Sequence, residues 1–326
     1  MRRDIRSGIE SWPLERPFRI SRGVKTAAEV VTVEIEADGV MGRGEAVPYA
    51  RYEETPATVL AEIREVTDAL ASGAGRADLP GLLAPGAARN AIDCALWDWE
   101  LKQGKASLPL LTRPLATALT VSLDTPEAMG EAAVALAAAP LVKVKVNAED
   151  VEACLRAVRK SAPAPKLIVD PNESWDLALL ASLQPLLAEL RVDFVEQPVP
   201  SEIDAGLAGF ERAVPICADE SVHVSRDLDH LVGRYDMVNI KLDKTGGLTE
   251  ALVLLEAARA RGFGVMVGCM ISTSLSIVPA LAVAMHADYA DLDGPWWLKQ
   301  DRPGGITVED GMILPPAPGF WGTNRA

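Results

Sequence analysis

The chain has 326 residues, 49% of them hydrophobic and 24% charged, a composition that excludes intrinsic disorder and predicts about two domains. A formal net charge of −14 repels phosphates and argues against a nucleic-acid partner, and no apolar run approaches the roughly 20 residues that span a bilayer. Four cysteines without a CxxC pair, and a charged start without an apolar signal core, predict reduced, buried thiols and a cytoplasmic, non-membrane protein.

Residues 1–113 read as a small α+β domain. Alternating residues over Glu29–Ala46 predict a β-hairpin turning at Asp38-Gly39, and helical patterns follow at Thr55–Ser72 and Gly86–Gln103. From 114 to 305 the texture is periodic. Apolar, β-branched runs begin near residues 118, 140, 166, 192, 215, 237, 264 and 290, with an Ala/Leu-rich helical stretch expected after each but the eighth. A spacing of 22 to 27 residues fits one strand, one loop and one helix, so the segment is expected to close into a (β/α)7β modified TIM barrel of α/β class. Residues 306–326 form a tail with a short hairpin over ITVEDGMILPP, expected to return to the first domain.

Chemistry is carried by polar residues within the strand runs, since the C-terminal strand ends of such a barrel face its active site. The third, fourth and fifth runs end in Asp170, Glu196 and Asp219. Three acids at one height repel each other unless a cation lies between them, and all-oxygen ligation favours Mg²⁺ first and Mn²⁺ second. A single acid more often caps a helix or pairs with arginine; three in phase favour a metal. Lys143 and Lys145 share one face of the second run, with Val142, Val144 and Val146 on the other, so the lysines face the barrel interior rather than solvent. Asn239 and Lys241 share a face of the sixth run, diametrically opposite. Repulsion within the lysine pair is expected to depress one pKa towards general-base duty. A metal-held carboxylate acidifies the adjacent carbon, and two opposed lysines could then remove and return its proton on opposite faces, a 1,1-proton transfer through a metal-stabilised enediolate.

The strings KVKV, VDPNESW, VEQP, CADES and NIKLDKTGG resemble the muconate-lactonizing subgroup of the enolase superfamily, and ARNAIDCALWDWE extends the likeness to essentially the whole chain. The resemblance implies a Mg²⁺ site at Asp170, Glu196 and Asp219 and acid/base catalysis by Lys145 and Lys241, as is general for enolase-superfamily sites. Lys143 would tune Lys145 and contact the substrate carboxylate, with Asn172 and Asn239 also at the substrate. The subgroup includes cycloisomerases, o-succinylbenzoate synthases, racemases and dipeptide epimerases. On the eighth run Asp291 and Asp293 resemble the dipeptide epimerase signature, two carboxylates for a substrate α-ammonium; a structural capping pair is the alternative.

The first domain is implied to be a capping domain with mobile loops. Phe18–Glu29 is expected to be one such loop, offering Arg19, Arg22 and Lys25. By resemblance to L-Ala-D/L-Glu epimerases, Arg22 would bind a glutamate side-chain carboxylate, ordinary solvated cations being the alternative. Ala46–Thr55, with Tyr49, Arg51 and Tyr52, would form a second lid. The function expected is therefore a Mg²⁺-dependent epimerase of a small dipeptide, most closely L-Ala-D/L-Glu of murein peptide metabolism. An o-succinylbenzoate synthase-like lyase, a cycloisomerase, another dipeptide specificity or a non-catalytic peptide-binding barrel are the alternatives, and a homo-oligomer is compatible with the sequence. His223, His230 and His286 show no ligand spacing, and Asp93 and Asp98 read as structural.

Overall fold

The structure, a computed structural model, describes residues 2–322, so the expected tail 306–326 extends four residues outside the described ones. Strands β1 (Asp4–Ile20), β2 (Gly23–Ala37) and β3 (Val40–Ala46) form an antiparallel sheet in the order β1-β2-β3. The β2–β3 turn lies at Asp38-Gly39, both with positive φ (56° and 72°), which suits a short side chain followed by glycine. Residues 56–65 and 67–71 are helical, and a long helix, Ala87–Lys102, packs across the sheet.

The 17-residue β1 escapes sequence reading because its burial alternates between exposed and half-buried, with charged groups and two prolines along an edge strand. The expected loop Phe18–Glu29 is consequently an extended hairpin whose tip is Ser21-Arg22.

After the two-residue β4 (Leu115–Ala116) come eight parallel strands: β5 (Ala118–Val121), β6 (Leu141–Lys145), β7 (Lys166–Asp170), β8 (Phe194–Glu196), β9 (Ile216–Ala218), β10 (Met237–Ile240), β11 (Gly264–Gly268) and β12 (Tyr289–Asp291). They hydrogen-bond in consecutive order from β5 to β12, and each starts within two residues of its expected position. The barrel closes between β12 and β5 through Thr117, whose Oγ1 accepts from Leu292 N at 2.8 Å. Helices cover most crossovers, but β8 is followed only by a 3₁₀ turn, Asp204–Leu207, and β9 by short turns over 225–231.

Side-chain alternation assigns the two faces of every strand. One set, including Val142, Val144, Val169, Val195, Val238 and Val267, joins the helices in the main core. The other points inward and begins with an apolar floor of Ala118, Leu141, Ile168, Phe194, Cys217, Met237 and Met266. Two residues further along each strand stand Thr120, Lys143, Asp170, Glu196, Asp219, Asn239 and Gly268. The chemistry is one step of the pleat above a dry plug.

The tail forms β13 (Thr307–Glu309) and β14 (Met312–Leu314); β14 pairs with β4. Beyond it, Trp321 Nε1 donates to Arg43 O at 3.2 Å and Gly322 N to Asp98 Oδ1 at 2.6 Å. No described helix is long and apolar enough to cross a membrane.

Candidate active site

A cavity of about 430 Å³ lies where the β1–β2 hairpin and the 49–51 segment meet the C-terminal barrel ends. Its wall includes Lys143, Lys145, Lys241, Asp219, Asp291 and Asp293 from the barrel and Arg22, Lys25 and Tyr49 from the first domain.

Asp170, Glu196 and Asp219 are all buried and all bear on lysines. Lys145 Nζ donates to Asp170 Oδ2 at 2.5 Å, and across the barrel Lys241 Nζ donates to Asp219 Oδ2 at 2.7 Å. Lys143 Nζ stands between strands, 2.9 Å from Asp170, 2.6 Å from Glu196 and 2.8 Å from Asp291. Its contact with Glu196 Oε2 is close but poorly directed, which leaves that buried oxygen without a hydrogen-bond partner.

The electrostatics reverse one expectation. Burial pulls Lys143 down, but Asp170, Asp291 and Glu196 outweigh it and hold the ammonium well above the ordinary lysine range. Lys241 is likewise raised, its burial outweighed by Asp219 and Glu196. The carboxylates around the lysines, rather than lysine–lysine repulsion, therefore set these charges. Burial and Asp170 push Glu196 up to about 7. Asp170 is lowered despite burial because Lys143 and Lys145 both face it.

Among the described residues, no three acids, imidazoles or thiolates stand close enough together to hold an ion as they are placed. The Lys143 ammonium lies among them. The donor set nonetheless fits a hard divalent cation: it is all carboxylate, fully buried, and includes the unpartnered Glu196 Oε2.

Asp291 and Asp293 both reach the cavity wall. Asp291 Oδ1 is buried with no hydrogen-bond partner, while Asp293 Oδ2 accepts from Thr120 N at 2.9 Å and Trp297 Nε1 at 3.2 Å. Burial, then Asp291, raises Asp293 to about 6.

Asn239, expected at the substrate, stands behind Glu196 instead. It is fully buried, absent from the cavity wall, and donates Nδ2 to Glu196 Oε1 at 2.8 Å. Asn172 does line the cavity; its N–H donates to Asp170 Oδ1 at 2.9 Å. Arg22 also lines it, but its guanidinium bonds Glu173 at 3.0 Å, Glu220 at 2.6 Å and Tyr49 Oη at 2.9 Å. Lys25 differs: among the described residues its ammonium has no ion pair, only the Tyr49 ring at 5.3 Å, and burial lowers its pKa.

Sequence reading also missed Lys244, which lies on the short helix Leu242–Thr245, where strand alternation gives no face. Cys269, expected among buried thiols, is half-buried on the cavity wall, whereas His223 stacks edge-on against Tyr52 at 4.6 Å, outside it.

The first domain is fastened to the short helix after Lys241 and the turn that ends it. Asn90 Nδ2 and Val47 N donate to Asp243 Oδ1 at 2.8 and 2.9 Å, and Arg89 donates to Gly246 O at 3.1 Å. Gly246 has φ 73°, and a Cβ there would lie 2.3 Å from Arg89 Nε, so the turn requires glycine. Asp93 caps the helix Leu248–Ala260 by accepting from Thr249 N at 2.9 Å, a structural role.

Residues 3–112 match the family described as the mandelate racemase / muconate lactonizing enzyme N-terminal domain, and residues 128–321 match the one described as enolase C-terminal domain-like. The chain is 47% identical to an L-Ala-D/L-Glu epimerase of Escherichia coli (strain K12), over 92% of this chain and 95% of that protein. It is 41% identical to an N-acetyl-D-glutamate racemase of Pseudoalteromonas sp, over 90% of this chain and 95% of that one. A crystal structure from Agrobacterium tumefaciens, an enolase family member with homology to dipeptide epimerases holding sodium and L-Ala-L-Glu, superposes with a TM-score of 0.95 at 45% identity, covering 98% of this chain and all of that one. The protein belongs to the enolase superfamily, in its mandelate racemase / muconate lactonizing enzyme group.

Proposed function

We propose that this protein is a Mg²⁺-dependent dipeptide epimerase, an isomerase that interconverts L-Ala-D-Glu and L-Ala-L-Glu. In this reading residues 1–113 form the cap, 114–305 the catalytic barrel and 306–326 the tail. One observation carries it: Lys145 and Lys241 project from opposed strands into one cavity that also presents Asp291 and Asp293.

The two acids fit an α-ammonium, which would pair with the free Asp291 Oδ1 and restore the charge of Asp293. That fixes the amino-terminal residue on β12 and leaves the second residue's Cα between the two lysines. One lysine takes the α-proton from its face, and the other delivers a proton to the opposite face, inverting the centre. Asp170, Glu196 and Asp219 would hold the divalent ion, which would supply positive charge for the substrate's C-terminal carboxylate. Lys143 stays protonated beside that carboxylate. For the glutamate side chain the cation without a partner is Lys25; Arg22, engaged by two glutamates, fastens the hairpin tip.

A cytoplasmic place in cell-wall peptide recycling accords with four unpaired cysteines and with the epimerase relatives. N-acyl amino acids are the second reading, favoured by the racemase relative and disfavoured by the acid pair, since an N-acetyl group carries no charge to meet it.

The test is proton NMR in D₂O with Mg²⁺ and L-Ala-L-Glu, with N-acetylglutamate in parallel. Loss of the glutamate α-proton with appearance of the second diastereomer is expected. Lys145→Ala and Lys241→Ala should each slow epimerisation about 10²–10⁴-fold, while each keeps α-proton exchange in the one diastereomer that faces its remaining lysine. Turnover of N-acetylglutamate alone would replace the dipeptide reading by the N-acyl one.

A further inference from the structure

Each of the three carboxylates has one oxygen committed to a fixed protein donor and the other turned to a lysine ammonium. Asp170 Oδ1 accepts the Asn172 N–H at 2.9 Å, and its Oδ2 faces Lys145 and Lys143. Glu196 Oε1 accepts the Asn239 amide at 2.8 Å, and its Oε2 faces Lys143. Asp219 Oδ1 accepts Lys244 Nζ at 2.6 Å, and its Oδ2 faces Lys241.

The donors are all buried. Lys244 is 1% exposed, and its ammonium has three acceptors for its three protons: Asp219 Oδ1 at 2.6 Å, Asp219 O at 2.5 Å and Asn239 O at 3.0 Å. Asn239 is fully buried with its own Oδ1 unpartnered, so its amide is oriented by Glu196 and not by a competing network. Gly268 leaves the space: a Cβ there would come within 2.7 Å of Asn239 Oδ1.

Ca²⁺ gathers six to eight oxygens and readily takes both oxygens of a carboxylate, whereas Mg²⁺ demands six in near-ideal octahedral geometry and keeps other positions for water or substrate. Resting on the metal-centre reading above, we infer that Lys244, Asn239 and the Asn172 N–H restrict each acid to a single ligating oxygen, and that this restriction makes the centre select Mg²⁺ against Ca²⁺. Lys244 is thus a positioning residue, acting on the ion through Asp219. Freed of it, Asp219 could turn both oxygens to the metal, which profits Ca²⁺ alone.

Isothermal titration of the wild type, Lys244→Met and Asn239→Leu with MgCl₂ and with CaCl₂ tests this without any turnover. The wild type is expected to bind Mg²⁺ more tightly, and each variant to lower the Kd(Ca)/Kd(Mg) ratio about tenfold or more. Both ions carry two charges, so loss of the lysine charge shifts both affinities alike and the ratio isolates geometry. If Lys244→Met fails to fold by circular dichroism, Asn239→Leu carries the same test at Glu196. A wild type with no preference, or folded variants that retain its preference, overturns the inference. A wild type that takes up neither ion overturns the metal-centre reading itself.

Discussion

Lys25 and Arg22 sit on one hairpin, yet only one of them is short of a counter-charge. A cation paired with two glutamates gains little from a third carboxylate, whereas a desolvated, unpaired ammonium gains a charge-assisted hydrogen bond of about 1.5–3 kcal/mol. Lys25→Met is therefore expected to reduce kcat/KM for L-Ala-L-Glu about 10–100-fold while leaving an uncharged dipeptide such as L-Ala-L-Leu within a factor of a few. An equal loss on both substrates would show that Lys25 serves the cap and not the side chain. Sequence offers Arg19, Arg22 and Lys25, and resemblance favours Arg22 among them; its pairing with Glu173 and Glu220 joins residues about 150 and 200 positions apart and leaves no trace in the sequence. Lys143, Lys145 and Lys241 were legible for the opposite reason: the two-residue period of a strand fixes their direction before any contact is known. The upward direction of the Lys143 and Lys241 shifts was not legible, since it depends on carboxylates contributed by other strands.

Elements meet most consequentially where the helix Ala87–Lys102 clamps the short helix after β10. Asp243 is buried in that seam, and burial, only partly offset by the Val47 N–H and the Asn90 amide, raises its carboxyl from the usual 3.8 to about 7. A raised carboxyl pKa means that the neutral form is favoured on folding. Its stabilising contribution is complete below about pH 4 and is lost as the pH climbs to about 7, a change on the order of 4 kcal/mol. Asp243→Asn should abolish that part of the pH dependence, so urea unfolding at pH 4, 5.5 and 7 should show the two proteins diverging as the wild type weakens. Parallel pH profiles would exclude Asp243 as the titrating group. The barrel strands were legible as elements because each carries an apolar, β-branched run at regular spacing. β1 was not, for its half-exposed face carries charges and prolines that read as loop.

At the scale of the whole molecule, the barrel's ring of hydrogen bonds is completed by a side chain. Thr117 Oγ1 holds Leu292 N at 2.8 Å across the β12–β5 closure, between Asp291 at the end of β12 and Asp293 just beyond it. Thr117→Val keeps the shape but leaves that buried N–H without an acceptor, and should cost about 1–3 kcal/mol of unfolding free energy with a matching drop in the urea midpoint. An unchanged midpoint would mean that the closure is held elsewhere. The β1–β2 hairpin spans the molecule in another sense. Pro13 in β1 is tied to the segment after β12, Lys299 N donating to Pro13 O at 2.9 Å, and the hairpin's register breaks between Pro13 and Phe18, so the tip is a separate piece of sheet. On the function proposed above, proton transfer then belongs to lysines of the barrel, and the choice of the second residue's side chain to Lys25 near the end of a ribbon. A substitution at Lys25 would then change which side chain is held while leaving the barrel lysines in place, whereas one at Arg22 would also loosen the loops that carry Glu173 and Glu220.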